Sequence, residues 1–268
     1  MTTLLKIINN QEKKFTEKIK ELQEYLTDDR EVVINKTLFT EAIVNKVPVN
    51  GELINKEIGK IVYPILHHCI KFDSARSEKG DILPFQNVMN ILDEAVYKFI
   101  TPEYFYKLIN FQGQSENTLL HQAVISNNTE AIETLLKYGA NSLIRNKEDK
   151  MPLDLAEGKT REVLIKCMKD QAKSKKESAK YNSLCGVIPG VFLSVGLGVG
   201  GALIPSMTII LCAIAVSALI AGIAVGVAMY FLSQDYKQAT SIESVVAINS
   251  QLHSVEPEKI ADNKAVLE

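Results

Sequence analysis

The chain has 268 residues, 46% hydrophobic and 23% charged, with a formal net charge of −2. That length sets a prior of one or two domains. The near-neutral balance excludes a general nucleic-acid binder, which needs a basic surface to displace counterions. Cys69, Cys167, Cys185 and Cys212 are scattered, with neither metal-ligand spacing nor a disulfide framework, so no metal or cofactor is expected. No secretory signal is read at the start, because Leu4-Leu5 and Ile7-Ile8 are split by Lys6 and followed by charge.

Residues 1–60 read as an N-terminal helical region. Ile8, Phe15, Ile19, Leu22 and Leu26 fall at spacings that predict one amphipathic helix to about residue 28. Its polar face mixes Lys with Glu12, Glu17, Glu21 and Glu24, which favours packing on a neighbouring helix over lying on a membrane. Thr27-Asp28-Asp29 ends it, a second helix is predicted over 37–46, and Val47-Pro48-Val49-Asn50-Gly51 reads as a turn.

Between 61 and 170 the chain carries an internal repeat. Residues 109–141 contain Asn117-Thr118-Leu119-Leu120-His121-Gln122-Ala123, then an Asn127-Asn128-Thr129 turn, Leu135-Leu136 and Gly139-Ala140-Asn141. Thr118 reads as an N-cap and Leu120 and Ala123 as an apolar face; Gly139 supplies the residue type that tolerates a left-handed C-cap. Residues 142–170 return to the pattern at Met151-Pro152-Leu153-Asp154-Leu155-Ala156, 33 residues after Thr118. This stretch resembles the ankyrin repeat, whose period is ~33 residues and whose signature opens threonine-proline-leucine-histidine. Met151 stands in place of the threonine and Asp154 in place of the histidine, as in the altered end repeat that caps a stack. Upstream, Ile65-Leu66-His67-His68-Cys69-Ile70 resembles the start of a degenerate repeat, with its second helix around Phe85–Phe99. A competing register sets Leu92-Asp93-Glu94-Ala95 against Leu120–Ala123; the first fits better. Adjacent His67, His68 and Cys69 cannot all face one ion on a helix, so they are read as structural.

Six lysines, at 166, 169, 173, 175, 176 and 180, make a basic stretch with its linker at 171–183. From Leu184 to Leu232 the chain runs 49 positions without an Asp, Glu, Lys, Arg or His, with Ile204-Pro205-Ser206 in the middle. A crossing needs ~20 apolar residues. Two membrane helices, 184–204 and 207–232, are therefore expected as a transmembrane hairpin. Gly186/Gly190, Gly196/Gly200 and Gly222/Gly226 stand four apart, a spacing suited to close helix packing in lipid and to a homo-oligomer through the hairpin. Flanking lysines favour the cytoplasmic side. Both termini are then cytoplasmic, and 233–268 is expected as a loosely ordered polar tail.

No phosphate loop, nucleophile elbow or catalytic pair is legible, and no enzyme activity is expected. The expected fold is all-α: a short ankyrin-repeat solenoid with N-terminal helices, followed by the hairpin. The resemblance implies a protein partner, met by the turn fingers at Gln112, Gln114, Glu116, Arg145, Lys147 and Asp149, and by Gln122 and Ser126 on the inner helix. The layout is also similar to ankyrin membrane proteins of intracellular bacteria, some of which act on a host cell. The alternative is a membrane-active protein whose glycine-rich hairpin permeabilises a bilayer.

Overall fold

A computed structural model describes residues 3–44, 52–96, 102–201 and 208–265. Within these, only the backbone path is described at 44, 52–56, 96, 182, 184–201, 208–215, 218 and 252–265. The chain divides into two units, Met1–Cys167 and Met168–Glu268. Each is treated by itself.

The first unit opens on α1 (Thr3–Asn9) and α2 (Phe15–Tyr25), where one helix was expected. The break has a local cause: Asn10 Oδ1 accepts the Glu12 N–H at 3.0 Å, an Asx turn that competes with the helix. The Lys14 N–H then donates to Glu17 Oε2 at 3.2 Å and starts α2. β1 (Val32–Val33) follows, and α3 (Lys36–Val44) lies close to the expected 37–46. The turn expected at 47–51 lies outside the described residues. Next come α4 (Glu52–Phe72), β2 (Ala75–Arg76), α5 (Phe85–Val96) and α6 (Pro102–Ile109). β1 and β2 form a two-residue parallel ladder, an addition to the all-α expectation.

α4 is the spine of this unit. Ile58, Ile61, Val62, Ile65, Leu66, Cys69 and Ile70 recur every three or four residues and are all buried. On them pack α2, α3 and α6, while α1 closes over α2 and α3. His68 is buried in this layer. Its Nε2–H donates to the Asp28 carbonyl at 2.9 Å, and its Nδ1 accepts the Ser74 hydroxyl at 2.7 Å.

The repeat consists of α7 (Leu119–Ile125) and α8 (Thr129–Lys137), with the caps expected at Thr118 and Gly139 and a further one at Asn128. Thr118 Oγ1 accepts the His121 N–H, Asn128 Oδ1 accepts the Ala131 N–H at 2.9 Å, and Gly139 takes φ +90° after α8. α4 packs on α7 and α5 on α8. This sets α4 beside the first helix of the repeat and α5 beside the second. The Asn128 amide donates to the Ile70 carbonyl, and the Tyr138 hydroxyl to Asn90 Oδ1 at 2.6 Å, joining the two pairs.

The terminal repeat is shorter than its sequence implied. Its inner helix is a single 3₁₀ turn, Pro152–Leu155, followed by α9 (Gly158–Gly201). Asp154 Oδ2 accepts the Met151 N–H at 2.8 Å, taking over the cap role that His121 fills one repeat earlier. α9 runs without interruption through the basic linker and into the apolar block.

In the second unit, α10 (Thr208–Leu232) follows, and the expected break at Ile204-Pro205-Ser206 lies outside the described residues. The tail corrects the expectation: it is helical, as α11 (Gln234–Ala265). The Ser233 hydroxyl accepts the Tyr236 N–H at 3.1 Å and starts this helix. Ala239, Ile242 and Val246 form its buried stripe, while Lys175 and Lys176 of α9 pair with Asp235 and Glu243. Among the described residues no single helix is long and apolar enough to cross a membrane. Leu219–Leu232 and Gln234–Gln251, bent by 49°, meet that criterion together.

Burial lowers the pKa of His67, His68 and His121 below the ordinary 6.5. The unfolded chain then binds more protons than the folded one, so this contribution is complete above 6.5 and is lost as pH falls toward the depressed values. Thermal unfolding of the detergent-solubilised chain, followed by circular dichroism, should give a lower midpoint at pH 5.5 than at 7.5. His121→Gln should cost about 1–3 kcal/mol at pH 7.5, from its lost buried hydrogen bonds, and flatten that pH dependence.

Candidate functional site

The site lies in the first unit, on the inner-helix side of the repeat. α4 continues the inner row begun by α7, and α2 packs on α4 as a wall. Between them and the finger at 111–114 is a cleft of about 620 Å³. That volume falls within the ~300–1,000 Å³ range of ligand-binding clefts.

The floor is aromatic. Tyr63 stacks on His67 with ring centroids 6.0 Å apart and meets Phe111 at 5.8 Å. Two glycines make room for these rings: a Cβ on Gly59 would overlap the Phe111 ring, and one on Gly113 would overlap that of Tyr63. Gly59 stands inside α4, where glycine is costly to a helix, so the tight seat for Phe111 accounts for it. Tyr63 is only 7% exposed, and its hydroxyl has no hydrogen-bond partner although Gln122 stands beside it. Burial pushes the Tyr63 pKa up to about 12, so it remains a neutral donor.

Lys60, Tyr63, Pro64, His67 and Lys71 all line the cleft. They stand at steps of three and four along one face of α4, opposite its buried apolar face. The wall contributes Lys20, Gln23, Glu24 and Thr27, and the finger and inner helix contribute Gln112, Gln114 and Gln122. Lys20 and Glu24 pair with each other at 3.7 Å. Lys60 and Lys71 have no carboxylate within ion-pair distance among the described residues, although Lys71 sits 4.5 Å over the Phe72 ring.

The partner-contact residues read from sequence separate into two groups. Gln114 and Gln122 are on the cleft. Gln112 lines it too, but its amide is committed to the Glu116 and Arg145 carbonyls, both at 3.0 Å, and so ties one finger to the next. Glu116 is exposed at the finger tip, and Ser126 ends α7 outside the cleft lining. Arg145 is turned onto the Asp149 carbonyl and carboxylate of its own finger; Lys147 is exposed, its N–H held by the Ser115 carbonyl at 3.0 Å. These three lie outside the cleft. Lys60, Tyr63, His67, Lys71 and Phe111 were missed as site residues. The helical spacing of the first four was the available signal. Of the packing glycines, Gly222 and Gly226 are buried on α10. Gly186, Gly190, Gly196 and Gly200 lie on the helical path of α9, where nothing beyond the backbone is described.

The fold at 109–157 is one helix pair, α7 and α8, followed by a 3₁₀ turn, with a finger on either side. An ankyrin-repeat family model matches residues 115–147. The chain carries an ankyrin repeat, which is a protein-interaction module. Alpha-latrotoxin-Lg1a of Latrodectus geometricus is 30% identical over 115 residues, 42% of this chain and 8% of the toxin. The chain thus spans under a tenth of that relative's length. No solved structure matches significantly.

The seat at Gly113 is testable. Gly113→Ala should destabilise the fold by about 1–3 kcal/mol through overpacking against Tyr63. Tyr63→Ala alone should also destabilise. The double variant should be clearly more stable than the sum of the two predicts, as measured by a double-mutant cycle in denaturant.

Proposed function

We propose that this protein is a membrane-anchored interaction module that holds a protein partner at the cleft on the inner-helix side of its ankyrin stack. The observation that carries the binding role is the cleft itself: the inner face of the repeat continued by α4 and walled by α2, with an aromatic floor and two lysines that have no ion-pair partner among the described residues.

The anchor is supported by α10. Val216, Ile220, Ile223, Val227 and Phe231 are all about half exposed, on one face of the helix, and Val225, Met229 and Leu232 are exposed on another. Among the described positions of α10, Gly222 and Gly226 are the buried ones. A helix apolar around most of its girth belongs in lipid rather than in water. At its end Tyr230, Phe231 and Tyr236 cluster with ring centroids 4.6–5.1 Å apart, the side-chain types that favour a membrane–water boundary. Tyr230 also lies near enough to Lys176 and Lys180 to add to the rise in their pKa. Such proximity agrees with α10 returning to the side from which α9 departs.

Single cysteines at Ser178 and Ser241, in a chain lacking its native cysteines, report the topology in sealed vesicles. Both should label from the same side. Labelling from opposite sides would sink the hairpin, and a chain that washes off the vesicles would sink the anchor.

A second reading, in which the hairpin perturbs a bilayer, is favoured by the burial of Gly222 and Gly226, four apart on α10. The relative above is itself named a toxin. On this reading the chain releases dye from liposomes, and Gly222→Leu with Gly226→Leu reduces the release severalfold. Vesicles that stay tight with the wild-type chain leave anchoring alone.

A further inference from the structure

We infer that the cleft recognises an extended acidic peptide segment about five or six residues long, with a carboxylate near each end. This rests on the protein-binding reading above and specifies the partner's chemistry.

Length comes first. Lys60 and Lys71 mark the two ends of the α4 stripe, eleven residues apart, which is about 16 Å along a helix. An extended chain covers that distance in about five residues at ~3.3 Å each. Charge comes second. Of the lysines lining the cleft, Lys20 is matched by Glu24, whereas Lys60 and Lys71 have no acidic neighbour in ion-pair reach among the described residues. A partner that supplies two carboxylates completes both. His67 lies between them, and its pKa is lowered by burial and then by Lys71, which keeps the imidazole neutral near pH 7.

The middle of the stripe fixes the third requirement. Tyr63 is buried under it, with Gln122 beside its hydroxyl. Gln114 and Gln122 lie on the same cleft, placed to meet the amides of a bound peptide. Tyr63 stacks on His67 and meets Phe111 at a tilt, which leaves ring surface suited to small or apolar side chains between the two acids.

The test is selection of peptides from a random linear decapeptide display library on the detergent-solubilised full chain. Enriched sequences should carry Asp or Glu four to six positions apart. Synthetic versions should lose tenfold or more in affinity with Lys60→Gln or Lys71→Gln. Glu24→Gln, which removes an acidic group of the lining, should leave binding equal or tighter. Enriched peptides without paired acids, or binding indifferent to both lysine losses, would overturn the acidic cleft while keeping the chain a protein-binding module. No enrichment at all would overturn both the cleft and the inner-face reading. A Lys60→Gln chain that still folds, by its circular dichroism and unfolding midpoint, keeps these outcomes apart from simple loss of structure.

Discussion

The repeat stack depends on one neutral imidazole. His121 is fully buried; its Nδ1 accepts the Thr118 N–H at 3.2 Å, and its Nε2–H reaches the Lys150 carbonyl at 3.0 Å. One nitrogen secures its own helix start and the other the finger of the next repeat. The two roles require opposite characters, acceptor and donor, which only the neutral ring offers. A repeat of this size buries its apolar face only against its neighbours. This link between adjoining units therefore bears on cooperativity as much as on local geometry. The fingers add parallel ties, Gln112 to Arg145 and Asn146 to Asn117, and the start of α9 adds Thr160 to Asn127 in the turn between α7 and α8.

That stack would be too short alone, and α4 makes up the difference. It is 21 residues long, three times the length of α7, and presents different chemistry on its two faces. One face buries isoleucine, leucine and cysteine beneath α3 and α6. The opposite one carries lysine, tyrosine, proline and histidine. α2 converts this exposed face into a cleft by burying Leu22 at 1% exposure and turning its polar residues toward the finger. Tyr63 and Phe111 then pack closely only because Gly59 and Gly113 lack a Cβ. The cleft is thus a consequence of an N-terminal layer added to an ankyrin inner face.

Much of this was legible in the sequence where the signal was local. Thr118 announces a helix start through its side-chain oxygen and Gly139 a helix end through its freedom to take a positive φ, and both do what they announce. The period of 33 pointed to a second inner helix at Met151–Ala156, of which the structure forms a 3₁₀ turn at Pro152–Leu155. Non-local features were hidden. Tyr63 and Phe111 are 48 residues apart, and nothing in either neighbourhood says that a glycine will seat each ring. The terminal repeat lost its inner helix to a 3₁₀ turn, although Pro152 suits a helix start. The first expected helix broke because Asn10 bonds its own backbone, a competition invisible to apolar spacing. The polar tail misled for another reason: Ala239, Ile242 and Val246 make a stripe too narrow to stand out among serines and glutamines, yet wide enough to be buried.

The two units satisfy opposite rules, and the contrast bears on what each meets. In the first unit large apolar side chains are inside, and the exposed exceptions are scattered, as with Ile82, Tyr106 and Ile125. In the second, α10 turns glycine inward and presents isoleucine, valine and phenylalanine outward. Burial of apolar area stabilises a fold in water by ~25 cal/mol per Å², so a water-soluble helix with this pattern would forfeit that stabilisation residue after residue. In hydrocarbon the term vanishes, and close backbone approach at small residues becomes the source of association. Glycine thus differs between the units: in α4 Gly59 leaves room for the Phe111 ring, and on α10 Gly222 and Gly226 are buried while larger apolar side chains around them are exposed.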